Sequence, residues 1–347
     1  MNRYKYCLLD ASYLIQRNGW AIDRGREGEA GWQALVRSVF QTINKVGRDF
    51  GVTADKYILG FDSWSDEYSG YYRTKVLREA GVNYKGSREI PTQAGLEELK
   101  SLGVSPGEIE KYERALRKNG EMRKAKSVIR NEFIRIGIPT IGVKGFEFDD
   151  LAYLLGTLGP TLTENWGHSV VVSGDSDLLY CTAPDLDYFK LPVGKNTPEI
   201  HTYQDSWGNL VKDSLKEGLV QAVQGTGQSP LYYYKALSDA LGDGHNDMKT
   251  SKARRRVTDT VISEILKGDY SGVLDRGVFD AQLRSFNVLE FPDTIQAVQV
   301  LSTIGYCGHY PGPSDFAGFC QDHGIHGITY EYFMGFRERL DQKLFAL

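Results

Sequence analysis

The chain is poor in cysteine: only Cys7, Cys181, Cys307 and Cys320 occur among 347 residues, and no two of them form a CxxC pair. That excludes a disulfide scaffold and a thiolate zinc site, and it fits reduced thiols. Histidine is also sparse, at six residues. No apolar run reaches the roughly 18–20 residues a membrane span needs, so no membrane partner is expected. The opening MNRYKYCLLDASYL has a basic start, but Asp10 interrupts its short apolar run and no small-residue cleavage site follows. The expectation is a cytoplasmic monomer without a secretory leader. An excess of positive charge is missing too. With a net charge of −4, any nucleic-acid contact must come from local basic patches rather than the whole-molecule field. What is present is a globular composition, 41% hydrophobic and 25% charged. The length allows one large domain or two smaller ones.

The first 190 residues alternate short apolar runs with longer amphipathic stretches. Tyr6–Leu9, Tyr57–Phe61, Ile138–Val143 and Ser169–Ser173 read as buried strands, and segments near 30–50, 121–136 and 149–158 as helices. This alternation predicts an α/β domain with a mostly parallel central sheet flanked by helices. Each strand runs into acid. YCLLD ends at Asp10 and YILGFD at Asp62; IPTIGV is followed by Glu147, Asp149 and Asp150; VVVSGDSD ends in Asp175 and Asp177. Ligand sites of open α/β sheets lie beyond the carboxyl ends of the strands. Seven carboxylates on one such edge repel one another, so they either take up protons or bind cations. Oxygen-only donors favour hard ions such as magnesium or manganese. Singly, each acid is equally a turn former or helix cap. The recurrence at four strand ends is what chance and turn chemistry explain poorly.

LLDAS, ILGFDS, GFEFDD, VVVSGDSDLL and LGDGHND occur in the order of the 5′ nuclease superfamily. The chain resembles that family over residues 5–260, and its bacteriophage branch (ribonuclease H and 5′–3′ exonucleases) more than the cellular flap endonucleases. The resemblance implies a PIN-like nuclease core at 1–200 with a basic helical arch at about 71–136. A mainly helical, duplex-binding region would follow at 201–347. It implies two Mg2+ ions, with Mn2+ able to substitute. Asp10, Asp62, Asp150 and Asp175 resemble the first metal cluster, with Glu147 beside it. Asp177 and Asp243 resemble the second, and Asp149 fits an extra acid. In Gly242–Met248 the acid and amide are exchanged relative to the family pattern, and the glycine hairpin is missing, so Asp243 and Asp247 both stand as candidates. Lys85 and Arg88 sit where the family has basic residues facing the scissile phosphate, with Arg73 upstream as a nucleic-acid contact. The implied function is removal of RNA primers or 5′ flaps in lagging-strand DNA replication, in a host-cell cytoplasm if phage-encoded. The substrates would be DNA and RNA–DNA hybrids with free 5′ ends; a clamp or single-strand-binding partner is left open.

Residues 111–135 hold nine Lys or Arg, including Lys111, Arg117, Lys118, Arg123 and Lys124, against three acids. Ser105-Pro106-Gly107-Glu108 predicts a capped helix start, and Asn119-Gly120 a break or bend. A second basic segment holds Lys249, Lys252, Arg254 and Arg255. Contacts from either would be with phosphates and insensitive to sequence. Trp64, Tyr68, Tyr71 and Tyr72 could stack bases or pack inside. Beyond 258 the chain reads as amphipathic helices; His323 and His326 lack a metal-binding spacing. The alternatives are a PIN-like single-strand ribonuclease, which the arch and the extra C-terminal region disfavour, and a junction-binding replication protein that does not cut. A dehalogenase-type phosphatase would need DxDx[TV] on the first strand, and Asp10-Ala11-Ser12 does not supply it.

Overall fold

A computed structural model describes residues 4–52, 54–62, 71–82, 91–162, 167–192, 197–241, 256–270, 273–303 and 312–330. Its strands are β1 (Tyr4–Asp10), β2 (Ala54–Gly60), β3 (Thr140–Ile141), β4 (Ser169–Ser173), β5 (Leu186–Lys190) and β6 (Glu199–His201). Its helices begin with α1 (Ala11–Arg17), α2 (Gly31–Arg48), α3 (Tyr72–Glu79), α4 (Gln93–Ser101), α5 (Pro106–Glu132) and α6 (Phe148–Leu162). They continue with α7 (Tyr203–Leu210), α8 (Asp213–Val223), α9 (Pro230–Ala240), α10 (Asp259–Leu266), α11 (Arg276–Phe286), α12 (Thr294–Ser302) and α13 (Pro313–Asp322). The strands form a mixed, mostly parallel sheet flanked by helices, as the alternation of the sequence predicts. Among the described residues no helix is long and apolar enough to cross a membrane.

Two compact units divide the chain, each built from separate stretches: 1–60, 89–140 and 306–347 in one, 61–88 and 141–305 in the other. In the first unit β1 pairs in parallel with β2, Leu8 opposite Ile58 and Asp10 opposite Gly60. Leu35, Val39, Ile43 and Val46 of α2 recur at helical spacing and are buried, the pattern of a helix with one apolar face. The N-terminus of α5 is capped as predicted. Ser105 Oγ accepts from Glu108 N–H at 3.4 Å, and Glu108 accepts from Ser105 N–H at 3.2 Å. Contrary to the expected break, α5 runs through Asn119-Gly120 without interruption. A mid-helix glycine costs only about 1 kcal/mol, and α5 recovers that by packing on α2, with Ala125 and Ile129 buried.

In the second unit β4 is buried along its whole length and runs parallel to β5, which pairs antiparallel with β6. Helix α11 packs on α9 and α3, and α6 on α12. The predicted strand at Ile138–Val143 shrinks to Thr140–Ile141; Pro139 has no N–H for a ladder.

Candidate active site

The second unit gathers acids at the start of α6. Asp149 and Asp150 lie in its first turn, where negative charge meets the positive end of the helix dipole. Asp62 Oδ1 accepts the Phe148 N–H at 3.0 Å, satisfying a first-turn donor that no helical carbonyl can reach. Asp150 Oδ2 accepts the Glu147 N–H at 2.9 Å, and Asp149 Oδ1 the Asp150 N–H at 3.2 Å. Carboxylate oxygens of Glu147, Asp149 and Asp150 lie within 4.8 Å of one another. Glu147 and Asp150 are buried, and Asp149 is half-buried.

Into this group reaches Arg73, from the first turn of α3. Its Nη1 donates to Glu147 at 3.0 Å and to Asp149 at 2.6 Å, and its Nη2 donates to Asp150. The guanidinium lies 4.9 Å from the ring centroid of Phe286 on α11. The sequence suggests Arg73 as a nucleic-acid contact; the structure places its side chain inside the acid cluster, 5% exposed. One guanidinium does not neutralise three carboxylates. Burial pushes the Asp150 carboxyl up to about 8, Arg73 opposes the rise, and Asp149 and Glu147 add to it. The donors are carboxyl oxygens, close together and short of positive charge, so the set fits a hard divalent cation, which would displace the extra proton.

The position of Arg73 is fixed by its neighbour. Tyr72 N–H donates to Gly145 O at 2.9 Å, and its hydroxyl donates to Asp293. Its ring packs on Phe146 and Phe291. Gly145 has φ +88°, and a Cβ there would come within 2.3 Å of the Tyr72 ring. Both the backbone conformation and the contact therefore call for glycine.

Asp175 follows β4 and caps the short 3-10 turn Ser176–Cys181, accepting the Asp177 N–H at 3.0 Å. Asp177 pairs at 3.4 Å with Lys235 of α9, whose ammonium also donates to Asp239 at 2.7 Å. Burial alone would lower the Lys235 pKa, but Asp239 and Asp177 outweigh it and the net shift is upward. Arg73, Asp149, Asp177, Lys235 and Asp239 line one cleft with Tyr232, so Asp149 of α6 and Asp177 after β4 share a cavity. Cys181 sits behind it, in contact with Tyr232 Oη at 2.9 Å. Burial raises its thiol pKa well above the ordinary value, which removes it as a nucleophile. Sequence reasoning missed Lys235 and Asp239. Their signal was a Lys–Asp pair four residues apart in the largely apolar LYYYKALSDAL.

Asp10 belongs to the first unit, at the end of β1, where it caps α1 by accepting the Tyr13 N–H at 2.9 Å. On α5, Lys111, Arg117, Arg123 and Lys124 are exposed and Lys118 is half-buried. Arg117 pairs with Asp23 at 2.9 Å, and Lys124 lies over Trp32. Lys85, Arg88, Asp243, Asp247, Lys249, Lys252, Arg254, Arg255, Trp64 and Tyr68 lie outside the described residues.

No protein-family model matches the chain, and no curated protein matches it in sequence. Solved structures do show a distant likeness. The flap endonuclease of bacteriophage T5, in a pseudo-enzyme–product complex with DNA and metal ions, is 15% identical, with a TM-score of 0.46 over 97% of this chain and 98% of that one. The flap endonuclease-1 of Methanococcus jannaschii is 14% identical, with a TM-score of 0.43 over 92% of this chain and 86% of that one. The catalytic core of Rad2 in complex with a DNA substrate is 14% identical, with a TM-score of 0.41 over 96% and 91%.

Proposed function

We propose that the chain is a divalent-metal-dependent 5′ nuclease that hydrolyses phosphodiester bonds at 5′ ends or flaps. The observation that carries this reading is the cleft of the second unit. There Glu147, Asp149 and Asp150 stand with oxygens inside 4.8 Å of one another, and Asp149 and Asp177 line one cavity. Asp62, Glu147, Asp149, Asp150, Asp175 and Asp177 would hold Mg2+, or Mn2+ in its place. Asp10 and Asp243 keep the ligand roles that the sequence resemblance implies. Bound there, two ions would supply Lewis-acid polarisation of the phosphate and an attacking water of lowered pKa. The chain's own part is to hold and orient. The α6 dipole and its backbone N–H groups fix the carboxylates, and Tyr72 and Gly145 fix α3. Lys85 and Arg88 would face the non-bridging phosphate oxygens. No side chain is proposed as nucleophile.

The cations of α5 and of 249–255 would track phosphates and leave base sequence unread. This suits a substrate recognised by its shape, an RNA primer or 5′ flap in lagging-strand replication. The test is a 5′-labelled flap, a blunt duplex and an RNA–DNA hybrid incubated with and without Mg2+. Release of short 5′ products from the flap or hybrid, abolished by chelator, is the expected result. Cleavage of internal single-strand sites only would remove the 5′ nuclease reading in favour of a single-strand ribonuclease, and cleavage that persists in chelator would remove metal dependence. Binding without cleavage would favour a junction-binding protein.

A further inference from the structure

We propose that Arg73 is the resident counter-ion of the acid cluster and that a divalent cation enters by exchange against it. The inference rests on the metal-binding reading of this cleft and adds a residue that nothing in that reading uses. Three observations carry it. First, one guanidinium reaches all three clustered carboxylates, Glu147 and Asp149 through Nη1 and Asp150 through Nη2. Second, the oxygens are already committed. Asp150 gives Oδ1 to Arg73 and Oδ2 to the Glu147 N–H; Asp149 gives Oδ2 to Arg73 and Oδ1 to the Asp150 N–H. An ion that binds these carboxylates takes lone pairs now held by N–H donors. The backbone donors are held by the peptide at and just before the start of α6, whereas the guanidinium is at the end of a rotatable side chain. Third, the side chain is only 5% exposed and backed by Phe286, so it is built into the site rather than laid across it.

The physical sense is that of a placeholder. Carboxylates buried together without a cation are costly, and a chain that must fold before it meets metal needs positive charge there. Arg73 supplies it in a planar fork that suits carboxylate geometry. The cost of the arrangement falls on metal affinity, because the ion must first break three charge-assisted hydrogen bonds. Once displaced, a guanidinium in a phosphodiesterase cleft would be available to a phosphate oxygen.

The test uses the full-length protein stripped of metal, titrated with Mn2+ and Mg2+ by calorimetry and followed by thermal melting. R73Q is expected to bind Mn2+ about tenfold tighter than the parent, to melt lower in chelator and to regain more of its melting temperature on adding metal. R73K keeps the charge but loses the fork, and should fall between the two. Equal Mn2+ affinity in all three overturns the exchange. Absence of binding in all three sinks the metal site as well, which separates the two failures. If R73Q does not fold, 15N-arginine NMR of the parent decides, with the Arg73 signal assigned by R73K. The slowly exchanging Arg73 side-chain resonance in chelator should shift or vanish at saturating Mg2+. A resonance left unchanged by Mg2+ would rule the exchange out.

Discussion

Arginine and lysine serve in two opposite settings in this molecule. On α5 they stand in water: Arg114 pairs with Glu110 at 3.2 Å, the two side chains 64% and 72% exposed. In the second unit Arg73 and Lys235 are buried, 5% and 6% exposed, each held by more than one carboxylate. An exposed pair is worth about 0–1 kcal/mol and fades with salt. A buried pair gives little net stability, yet removing one partner strands the other charge out of water. The exposed set is thus held loosely at the surface, and the buried set determines how the acids of the second unit stand.

The strongest way to break this contrast is at an acid proposed as a metal ligand. Asp175→Asn should cut Mg2+-dependent cleavage about a thousandfold while leaving duplex binding in a gel-shift assay close to the parent's; unchanged turnover would detach Asp175 from the chemistry. Next, Lys235→Met leaves Asp239, itself 1% exposed, buried without its ammonium. A loss of about 3–5 kcal/mol in urea unfolding is expected. A loss below about 1 kcal/mol would place this pair with the surface ones.

The third prediction concerns pH. Burial raises the Asp150 carboxyl from 3.8 to about 8 in the folded protein. The folded state therefore holds a proton that the unfolded chain has released, and this contribution is complete below the unfolded value and lost as pH rises through about 8. Without metal, the melting temperature should fall between pH 5 and 8 and the fall should flatten in Asp150→Asn; equal slopes would refute it. Fourth, Arg123→Ala with Lys124→Ala should weaken binding to all duplex sequences alike. It should also shrink the slope of log affinity against log salt by about two. An unaltered slope would take α5 out of the interface. The smallest effect is reserved for Arg114→Ala, within about 0.5 kcal/mol of the parent in stability.

Much of this was legible in the sequence, for identifiable reasons. Ser169–Ser173 matches its strand to the residue because a run of valines leaves no other periodicity. Glu147, Asp149 and Asp150 are neighbours in the chain, so one helix start brings them together. The short strands β5 and β6 were not anticipated: LDYFK and EIH carry charge and have no apolar run. The bend expected at Asn119-Gly120 failed because tertiary packing of α5 overrode local propensity. The bond from Phe148 to Asp62 spans 86 positions, and Lys235 meets Asp177 only once α9 is packed. Such meetings depend on the fold, and no local pattern announces them. Asp10 and Asp175 each cap a helical turn while standing at a strand end, the role that a single acid after a strand takes on turn chemistry alone.

Gly145 sets a constraint of a different kind. It touches neither an acid nor Arg73 in any contact described above, yet Tyr72, the residue before Arg73, rests where a methyl group on Gly145 would have to be. Any side chain added at 145 would move the ring, and the peptide that follows it carries the guanidinium. A position with no functional group of its own therefore governs the aim of the most highly connected cation in the cleft, and random mutagenesis should find it as intolerant as the carboxylates themselves.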